Sequence, residues 1–204
     1  MLYFRPLGCG AEGVMSSVSI VYFTNTDVTG QLVESISNEL KSLRVKVELH
    51  KIVGKEIIEG RFVNPGLFEK LLVADAIVFA SPTYMGGVAA QFKAFADASS
   101  EYWSEQMWAD KVAAGITCGS APNGDQSGTL QYLSTLASQH GMIWLGLDSA
   151  FGFKDHGINR LGCQLGVVAQ AVNGVADETD LKSAQYLGQR ISALLDKLKL
   201  KTLS

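Results

Sequence analysis

A hydroxyl-rich loop is the segment of this chain best suited to bind an anion. It follows an apolar run at residues 20–23 and precedes apolar residues that recur at helical spacing from Leu32. The loop carries Thr24, Thr26 and Thr29 and has no lysine or arginine. The first N–H groups of a helix lack intrahelical acceptors, and the helix dipole favours negative charge there. The pattern predicts a site for one terminal phosphate, formed by Thr24, Asn25, Thr26, Asp27, Val28 and Thr29.

The composition of this first loop (residues 24–29) argues against two other kinds of phosphate site. A triphosphate with magnesium would need a glycine-rich loop that ends in Lys-Ser or Lys-Thr, and that motif is absent from the loop. The glycine fingerprint of a dinucleotide site is missing as well. Thr, Asn and Asp are also ordinary turn and N-cap residues, so the loop alone leaves a purely structural reading open.

Two more loops of small and polar residues follow apolar runs of the buried parallel-strand type. The second loop (residues 81–87) reads Ser-Pro-Thr-Tyr-Met-Gly-Gly, and the third loop (residues 118–126) follows a strand pattern at 112–117. The carboxyl ends of parallel strands share one edge of an open α/β sheet, where ligands bind. We therefore expect one shared site, to which these two loops add Pro82, Thr83, Tyr84, Met85, Gly86, Cys118, Gly119, Ser120, Ala121, Pro122 and Asn123.

The elements that position these loops alternate between strand and helix, which predicts an α/β fold with right-handed crossovers and a parallel sheet. The loops after the first, third and fourth strands fit five strands in the order 2-1-3-4-5, with helices on both faces. The predicted strands are 18–23, 45–50, 76–81, 112–117 and 142–147. The predicted helices are 29–43, 65–73, 88–98, 127–139 and 180–198.

Composition bounds the class of protein. With 204 residues, 47% of them hydrophobic, the chain fits a single domain over 17–204 preceded by an N-terminal arm, disordered or not, at 1–16. A net charge of −3 does not indicate a nucleic-acid-binding surface. The sequence contains no run of about 18 apolar residues, so it predicts no transmembrane helix. Three cysteines without metal spacing favour a reducing, cytoplasmic location and no metal site. Segment 149–178 is long for a connection and is expected to be functional or to lie at an interface.

Four motifs resemble those of a known family. Thr24-x-Thr26-x-x-Thr29-x-x-Leu32 resembles the phosphate loop of flavodoxin-like FMN proteins. Residues 81–93 are similar to the isoalloxazine-binding loop of the WrbA-type NAD(P)H:quinone oxidoreductases. Asn-Gly-Asp-Gln at 123–126 stands where that family has a His-Gly-Gly-Gln-like turn, and His-Gly-Met at 140–142 matches its His-Gly-Met. The resemblance implies a flavodoxin-like five-stranded parallel sheet that binds FMN without a covalent bond.

The resemblance also implies a reaction and an assembly. FMN would accept a hydride from NADH or NADPH and pass two electrons to a quinone by a ping-pong mechanism. His140 would lie near the flavin, and Trp103 would form part of the wall of the active site. The assembly would be a homo-oligomer, most simply a tetramer. These two residues are the catalytic candidates, and neither is certain. A helix-capping role explains His140 equally well, and packing explains Trp103.

The chain departs from the family at four positions. Asp27 stands where glycine is common, and Val28 where asparagine or histidine is common; Tyr84 replaces an arginine and Met85 a phenylalanine. A carboxylate beside a phosphate dianion should weaken binding unless it points to solvent or caps the helix. The departures at Tyr84 and Met85 leave the nicotinamide and quinone preferences open.

Two other functions stay open at this point. A flavodoxin-type electron carrier would use the same fold without a substrate of its own, and a flavin or azo reductase would differ only in its acceptor. The nearly neutral charge favours an enzyme, because electron-carrier flavodoxins are by resemblance shorter and far more acidic.

Overall fold

The computed structural model describes residues 15–149 and 157–202. The chain alternates strands and helices as expected, and each of the five predicted helices is present within a few residues of its expected bounds. The strands are β1 Ser17–Tyr22, β2 Lys46–Lys51, β3 Ile57–Ile58, β4 Arg61–Phe62, β5 Ala76–Tyr84, β6 Gly87–Val88, β7 Val112–Gly119, β8 Ile143–Trp144, β9 Val167–Val172 and β10 Val175–Ala176. The helices are α1 Val28–Ser42, α2 Pro65–Val73, α3 Ala90–Ala98, α4 Gln126–Gln139 and α5 Glu178–Thr202, with short 3-10 turns at Gly54–Glu56 and Ser99–Tyr102.

The central sheet has the predicted strand order. Strands β2, β1, β5, β7 and β9 lie side by side and are all parallel, which confirms the order 2-1-3-4-5. Two short strands are antiparallel additions, β6 beside β5 and β10 beside β9. The sheet is therefore flavodoxin-like and mostly parallel, with hairpins at its carboxyl edge that the sequence interpretation did not contain.

The predicted fifth strand at 142–147 is only partly right. Its first residues form β8, which pairs with the start of β7, with Ile143 opposite Val112. The chain then leaves the sheet, because the Leu147 N–H donates to Gln164 O at 2.7 Å rather than to β7. The second half of β7 is paired by β9, with Val167 opposite Ile116. Two segments that are distant in sequence thus share the fifth position.

Glycines at two positions allow β8 and β9 to share the fifth position of the sheet. A Cβ on Gly115 of β7 would come within 2.7 Å of the Trp144 ring, so the indole lies directly against the backbone there. A Cβ on Gly166 would come within 2.5 Å of Gly115 O. The Trp144 indole N–H donates to Leu165 O at 2.9 Å and ties the end of β8 to the start of β9. The close approach of the backbones requires glycine at both positions.

Helices cover both faces of the sheet, as predicted. On one face α1 and α5 pack together over the sheet through buried residues such as Leu32, Ile36, Leu187 and Ile191. On the other face α2, α3 and α4 enclose a core rich in aromatic side chains, centred on Phe95. Each face buries its own apolar cluster, which is the arrangement that near-continuous apolar strands require.

Some expectations fall outside the described residues. The N-terminal arm lies there except for its last two residues, and so do Cys9, His156 and the rest of segment 150–156. Among the described residues, no helix combines the length and apolarity that crossing a bilayer would require. The same part of the chain contains no cluster of three or more His, Cys, Asp or Glu side chains arranged to hold a metal ion.

Candidate functional site

The three loops meet at the carboxyl edge of the sheet. β1, β5 and β7 are adjacent and parallel, and Pro82 at the end of β5 lies opposite Cys118 at the end of β7. The Phe23 N–H, just beyond β1, donates to Ala80 O at 3.0 Å. The first and third loops therefore flank the second, as the sequence predicted.

The first loop presents free backbone donors at the start of α1. The N–H groups of Val28, Thr29 and Gly30 lie in the first turn, where a helix has no intrahelical acceptors. Those of Val28 and Gly30 donate to no other residue in the described ranges, whereas the Thr29 backbone interacts with the Cys118 thiol. Asn25 and Thr26 are exposed, whereas Thr24 and Val28 are buried. Val28 is a core residue, so its contribution to an anion is confined to its N–H. The loop supplies neutral donors for an anion.

The Thr29 side chain is directed differently from the expectation. It is buried, and its Oγ1 lies 3.3 Å from Cys118 Sγ at the end of β7. Burial raises the pKa of the Cys118 thiol, and the hydrogen bond with Thr29 opposes that shift. Cys118 is thus a neutral, buried thiol that links the first and third loops, and not an exposed ligand group.

We expect Thr26→Val to weaken FMN binding by about 1–1.5 kcal/mol, because one exposed hydroxyl donor is lost from the first loop. Fluorescence titration of the flavin-free protein with FMN measures the effect. The control is Ser42→Ala, since the exposed Ser42 hydroxyl bonds Glu39 O at the far end of α1 and its loss should leave FMN affinity unchanged. Equal affinities in both variants would contradict the assignment of Thr26 to phosphate binding.

The second loop is a tight hairpin and not an open loop. β5 continues to Tyr84 and turns back as β6, with Tyr84 opposite Gly87. Met85 (φ 48°) and Gly86 (φ 78°) occupy the turn in the left-handed region that two-residue hairpins favour. The Tyr84 side chain is exposed and that of Met85 is fully so, whereas Pro82 is buried. The hairpin therefore offers an aromatic ring and a thioether at the edge of the site.

A network of threonine hydroxyls fixes this hairpin to its neighbours. Thr83 Oγ1 lies 2.9 Å from Thr117 Oγ1 of β7 and 2.8 Å from Thr129 Oγ1 of α4. A Cβ on Gly128 would come within 3.0 Å of Gly86 O, so α4 approaches the hairpin turn closely. Thr83 is consequently a positioning residue, and its hydroxyl is already engaged within the protein.

The third loop is held by amide side chains. Gln126 is buried, lies against Gly119 and donates from Nε2 to Ala121 O at 2.6 Å. Asn123 donates from Nδ2 to Leu161 O at 2.6 Å, which attaches the loop to the segment before β9. Ser120, Ala121 and Pro122 are exposed at the edge.

The β9–β10 hairpin forms a fourth side of the site, which the sequence interpretation missed. Its turn at Asn173 and Gly174 has positive φ at both residues. The Gln31 side chain of α1 donates to Gly174 O at 2.8 Å and accepts from the Ala176 N–H at 3.0 Å. Gln170 donates to Ser120 O at 3.2 Å and so contacts the third loop. An Asn-Gly pair between apolar runs is a strong hairpin signal that could have revealed this element.

His140 lies at the other end of the molecule from these loops. It follows α4, whose 14 residues span about 21 Å and start at the loops. His140 Nε2 lies 2.8 Å from Ser99 Oγ, and its ring lies 4.2 Å from that of Trp108, centroid to centroid. Trp103 is half-exposed at the same end, and both residues line a cleft of about 840 Å³. The fold places His140 and Trp103 near each other but places neither of them near the three loops.

The surroundings of His140 disfavour its charged form. Ser99 Oγ donates to Ala96 O at 2.7 Å, so it accepts from His140 Nε2–H. His140 Nδ1 has no partner among the described residues, and burial lowers the pKa of the imidazole. A proton on Nδ1 would be buried without an acceptor, which disfavours the charged form.

This burial predicts a pH dependence of stability. Because the folded pKa of His140 lies below its unfolded value, the unfolded state binds the extra proton first as pH falls through about 6.5. The free energy of unfolding should therefore fall with decreasing pH from about 6.5 down to the folded pKa, and it should not change from this cause above that window. In His140→Gln this component of the slope should vanish, as urea titrations between pH 5 and 8 would show. An unchanged slope would contradict the assignment.

A comparison with known proteins identifies the family. The model of the NADPH-dependent FMN reductase family matches residues 24–155, a range that includes all three loops. The chain belongs to this family. The resemblance to WrbA-type proteins is confirmed as well, since a WrbA-like flavodoxin structure from Agrobacterium tumefaciens is 34% identical, with a TM-score of 0.69 over 89% of this chain and 98% of that one.

Curated relatives carry two kinds of name. Flavodoxin FldP of Pseudomonas aeruginosa is 32% identical over 190 residues, which are 88% of this chain and 97% of the relative. An NAD(P)H dehydrogenase (quinone) of Archaeoglobus fulgidus is 29% identical over 201 residues, which are 90% of this chain and 100% of the relative. FMN is the cofactor of this family, and the expectation of an FMN-binding oxidoreductase is confirmed.

The residues of this chain fit FMN. The unpartnered N–H groups at the start of α1 suit a terminal phosphate. At Gly86, Gly87 and Gly124 a Cβ would meet nothing within 4 Å, so the second and third loops offer open backbone to a flat ring. Neutral amides and hydroxyls hold all the loops in place before a ligand arrives.

Proposed function

We propose that this protein is an FMN-dependent NAD(P)H:quinone oxidoreductase that works by ping-pong hydride transfer. The observation that carries the proposal is the meeting of three loops without lysine or arginine at one sheet edge, in a chain of the FMN reductase family. When bound, FMN would supply hydride acceptance from the nicotinamide and two-electron delivery to the acceptor. The protein supplies binding, orientation and access.

The chain's own residues have distinct tasks in this proposal. The first loop holds the phosphate through N–H groups and the Thr26 hydroxyl. Thr83, Gln126 and Gln31 fix the positions of the loops. Tyr84 and Met85 give the entrance an exposed aromatic and thioether surface, which suits planar apolar rings.

Rapid mixing without oxygen tests the reaction. The flavin absorbance of the FMN-loaded protein should bleach with NADH or NADPH and return on mixing with benzoquinone, with one quinone consumed per nicotinamide. Double-reciprocal plots at several quinone concentrations should be parallel, as a ping-pong mechanism requires. Comparing NADH and NADPH gives the cofactor preference, and a panel with free flavin and azo dyes tests the reductase alternative.

A flavodoxin-type electron carrier is the second candidate. The 32% identity to a protein named flavodoxin, over nearly the full length of both chains, favours it. A carrier would resist reduction by both nicotinamides yet exchange electrons with a redox protein partner. That result would overturn the reductase proposal.

We further propose a homo-oligomer, most simply a tetramer, in which a neighbouring copy completes each active site. Trp103 and His140 cannot reach the loops of their own chain, so only another copy could place them beside a flavin. Trp103, Met107 and Ile143 are half-exposed apolar residues at that end of the molecule, and part of segment 149–178 would lie at the contacts. A cytoplasmic location stays a prediction.

Light scattering at micromolar concentration tests the assembly directly. In the proposed oligomer, Trp103→Ala should change the apparent quinone affinity or FMN retention while the fold stays intact. A strictly monomeric protein with full reductase activity would show that one chain builds the whole site.

A further inference from the structure

The carboxylate of Asp27 occupies the start of α1. Asp27 immediately precedes the helix and has a left-handed backbone, with φ 69°. A Cβ on Gly30 would collide with Asp27 Oδ1 and would lie 3.2 Å from Asp27 Cγ and 3.6 Å from Thr24 Cγ2. The side chain therefore folds back over the first turn of the helix, in space that only the glycine at position 30 leaves open.

This carboxylate is held by no specific bond. It makes no side-chain capping hydrogen bond, and it forms no ion pair with any cation in the described ranges. The charge of Asp27 is attracted only by the helix dipole and the unpartnered N–H groups beside it. An unbonded, exposed side chain can move, but another anion displaces it only at the loss of its favourable interaction with the helix dipole and these N–H groups.

The chain on either side of Asp27 carries no cation that could offset its charge. From residue 16 to residue 40 the chain has no lysine or arginine, and its charged residues there are Asp27, Glu34 and Glu39. Burial raises the pKa of the nearby Tyr22 hydroxyl, and the negative charges of Asp27 and Glu34 add to this rise. A phosphate dianion meets repulsion from Asp27 at the same donors that would bind it.

We propose that the Asp27 carboxylate is a built-in competitor of the FMN phosphate, which makes FMN in this protein weakly held and exchangeable. The proposal rests on the first loop being the phosphate site of the proposed function. FMN must displace the carboxylate from the start of α1, whereas a flavin without a phosphate need not. The carboxylate selectively lowers the affinity for phosphorylated flavin.

The test compares Asp27→Asn with the parent protein. Asparagine tolerates the left-handed backbone at this position, so the variant removes the charge and keeps the turn. Titration of the flavin-free protein, followed by flavin fluorescence, gives dissociation constants for FMN and for riboflavin. We expect the FMN affinity to rise by about fivefold to tenfold and the riboflavin affinity to stay unchanged.

Glu34→Gln is the matched control, because it removes a carboxylate seven residues further along α1, about 10 Å away along the helix axis. Its FMN affinity should change by less than about twofold, since exposed charges at that separation are largely screened. The gap between Asp27→Asn and the parent should also narrow as the salt concentration rises from low to physiological values.

Three results would overturn the proposal: no change in FMN affinity, a loss of it, or equal changes for FMN and riboflavin. The dissociation constants need neither a nicotinamide nor a quinone. A protein that fails to reduce quinones but shows the FMN-specific gain would refute the proposed reaction and leave the role of Asp27 standing.

Discussion

Trp108→Ala is expected to lower the free energy of unfolding by about 3–5 kcal/mol, the range typical of a large buried aromatic residue. The Trp108 side chain is fully buried and stacks on the rings of Phe68, Phe95 and Tyr102. It also contacts His140. Truncation would leave a cavity among rigid rings that cannot collapse into it.

Trp103→Ala is the matched control for this loss. Trp103 is 48% exposed and lies five residues earlier in the same segment. Its truncation should change the free energy of unfolding by less than about 1 kcal/mol. Denaturant titrations followed by circular dichroism would measure both variants, and similar losses for the two would contradict the description of the core.

Gly166→Ala is expected to cost about 1–3 kcal/mol, the range seen when a tightly packed interior is overfilled. The new methyl group would lie 2.5 Å from Gly115 O and 2.9 Å from Leu130 Cδ2. The carbonyl belongs to the central strand β7, so it cannot retreat without disturbing the sheet. The start of β9 must move instead, and with it the contact of Gln170 with the third loop.

Gly54→Ala is the control for the cost of adding a methyl group. A Cβ at Gly54 would meet nothing within 4 Å, and its φ is not positive. Its stability should stay within about 0.5 kcal/mol of the parent. Thermal unfolding compares the two variants, and FMN titration shows whether displacing β9 loosens the ligand site. Equal melting temperatures would show that the fifth position of the sheet has more room than described.

The site is assembled almost entirely from neutral groups. Amide side chains fix the third loop and the β9–β10 hairpin, and threonine hydroxyls fix the second loop. The main charge at the start of α1 is negative and comes from Asp27. If the Asp27 proposal holds, this chain binds FMN through neutral donors and weakens that binding through one carboxylate.

The sequence by itself determined the strand order, the helices on both faces and the edge at which the ligand loops meet. Those features depend on short-range patterns: apolar runs for the strands, helical spacing such as the one that starts at Leu32, and polar loops between them. Parallel strands place their carboxyl ends at the same edge of the sheet. The alternation of strands and helices therefore predicts that the loops 24–29, 81–87 and 118–126 meet there.

Only the tertiary structure decided the rest, because it depends on contacts between residues far apart in the chain. The sharing of the fifth sheet position follows from the fit of Trp144 against Gly115, which no local pattern contains. The distance between His140 and the loops follows from the length and direction of α4. A match to a sequence motif does not show where in the fold the motif lies. The Asp27 carboxylate reaches the helix start because Gly30 has no side chain, a relation visible only in space.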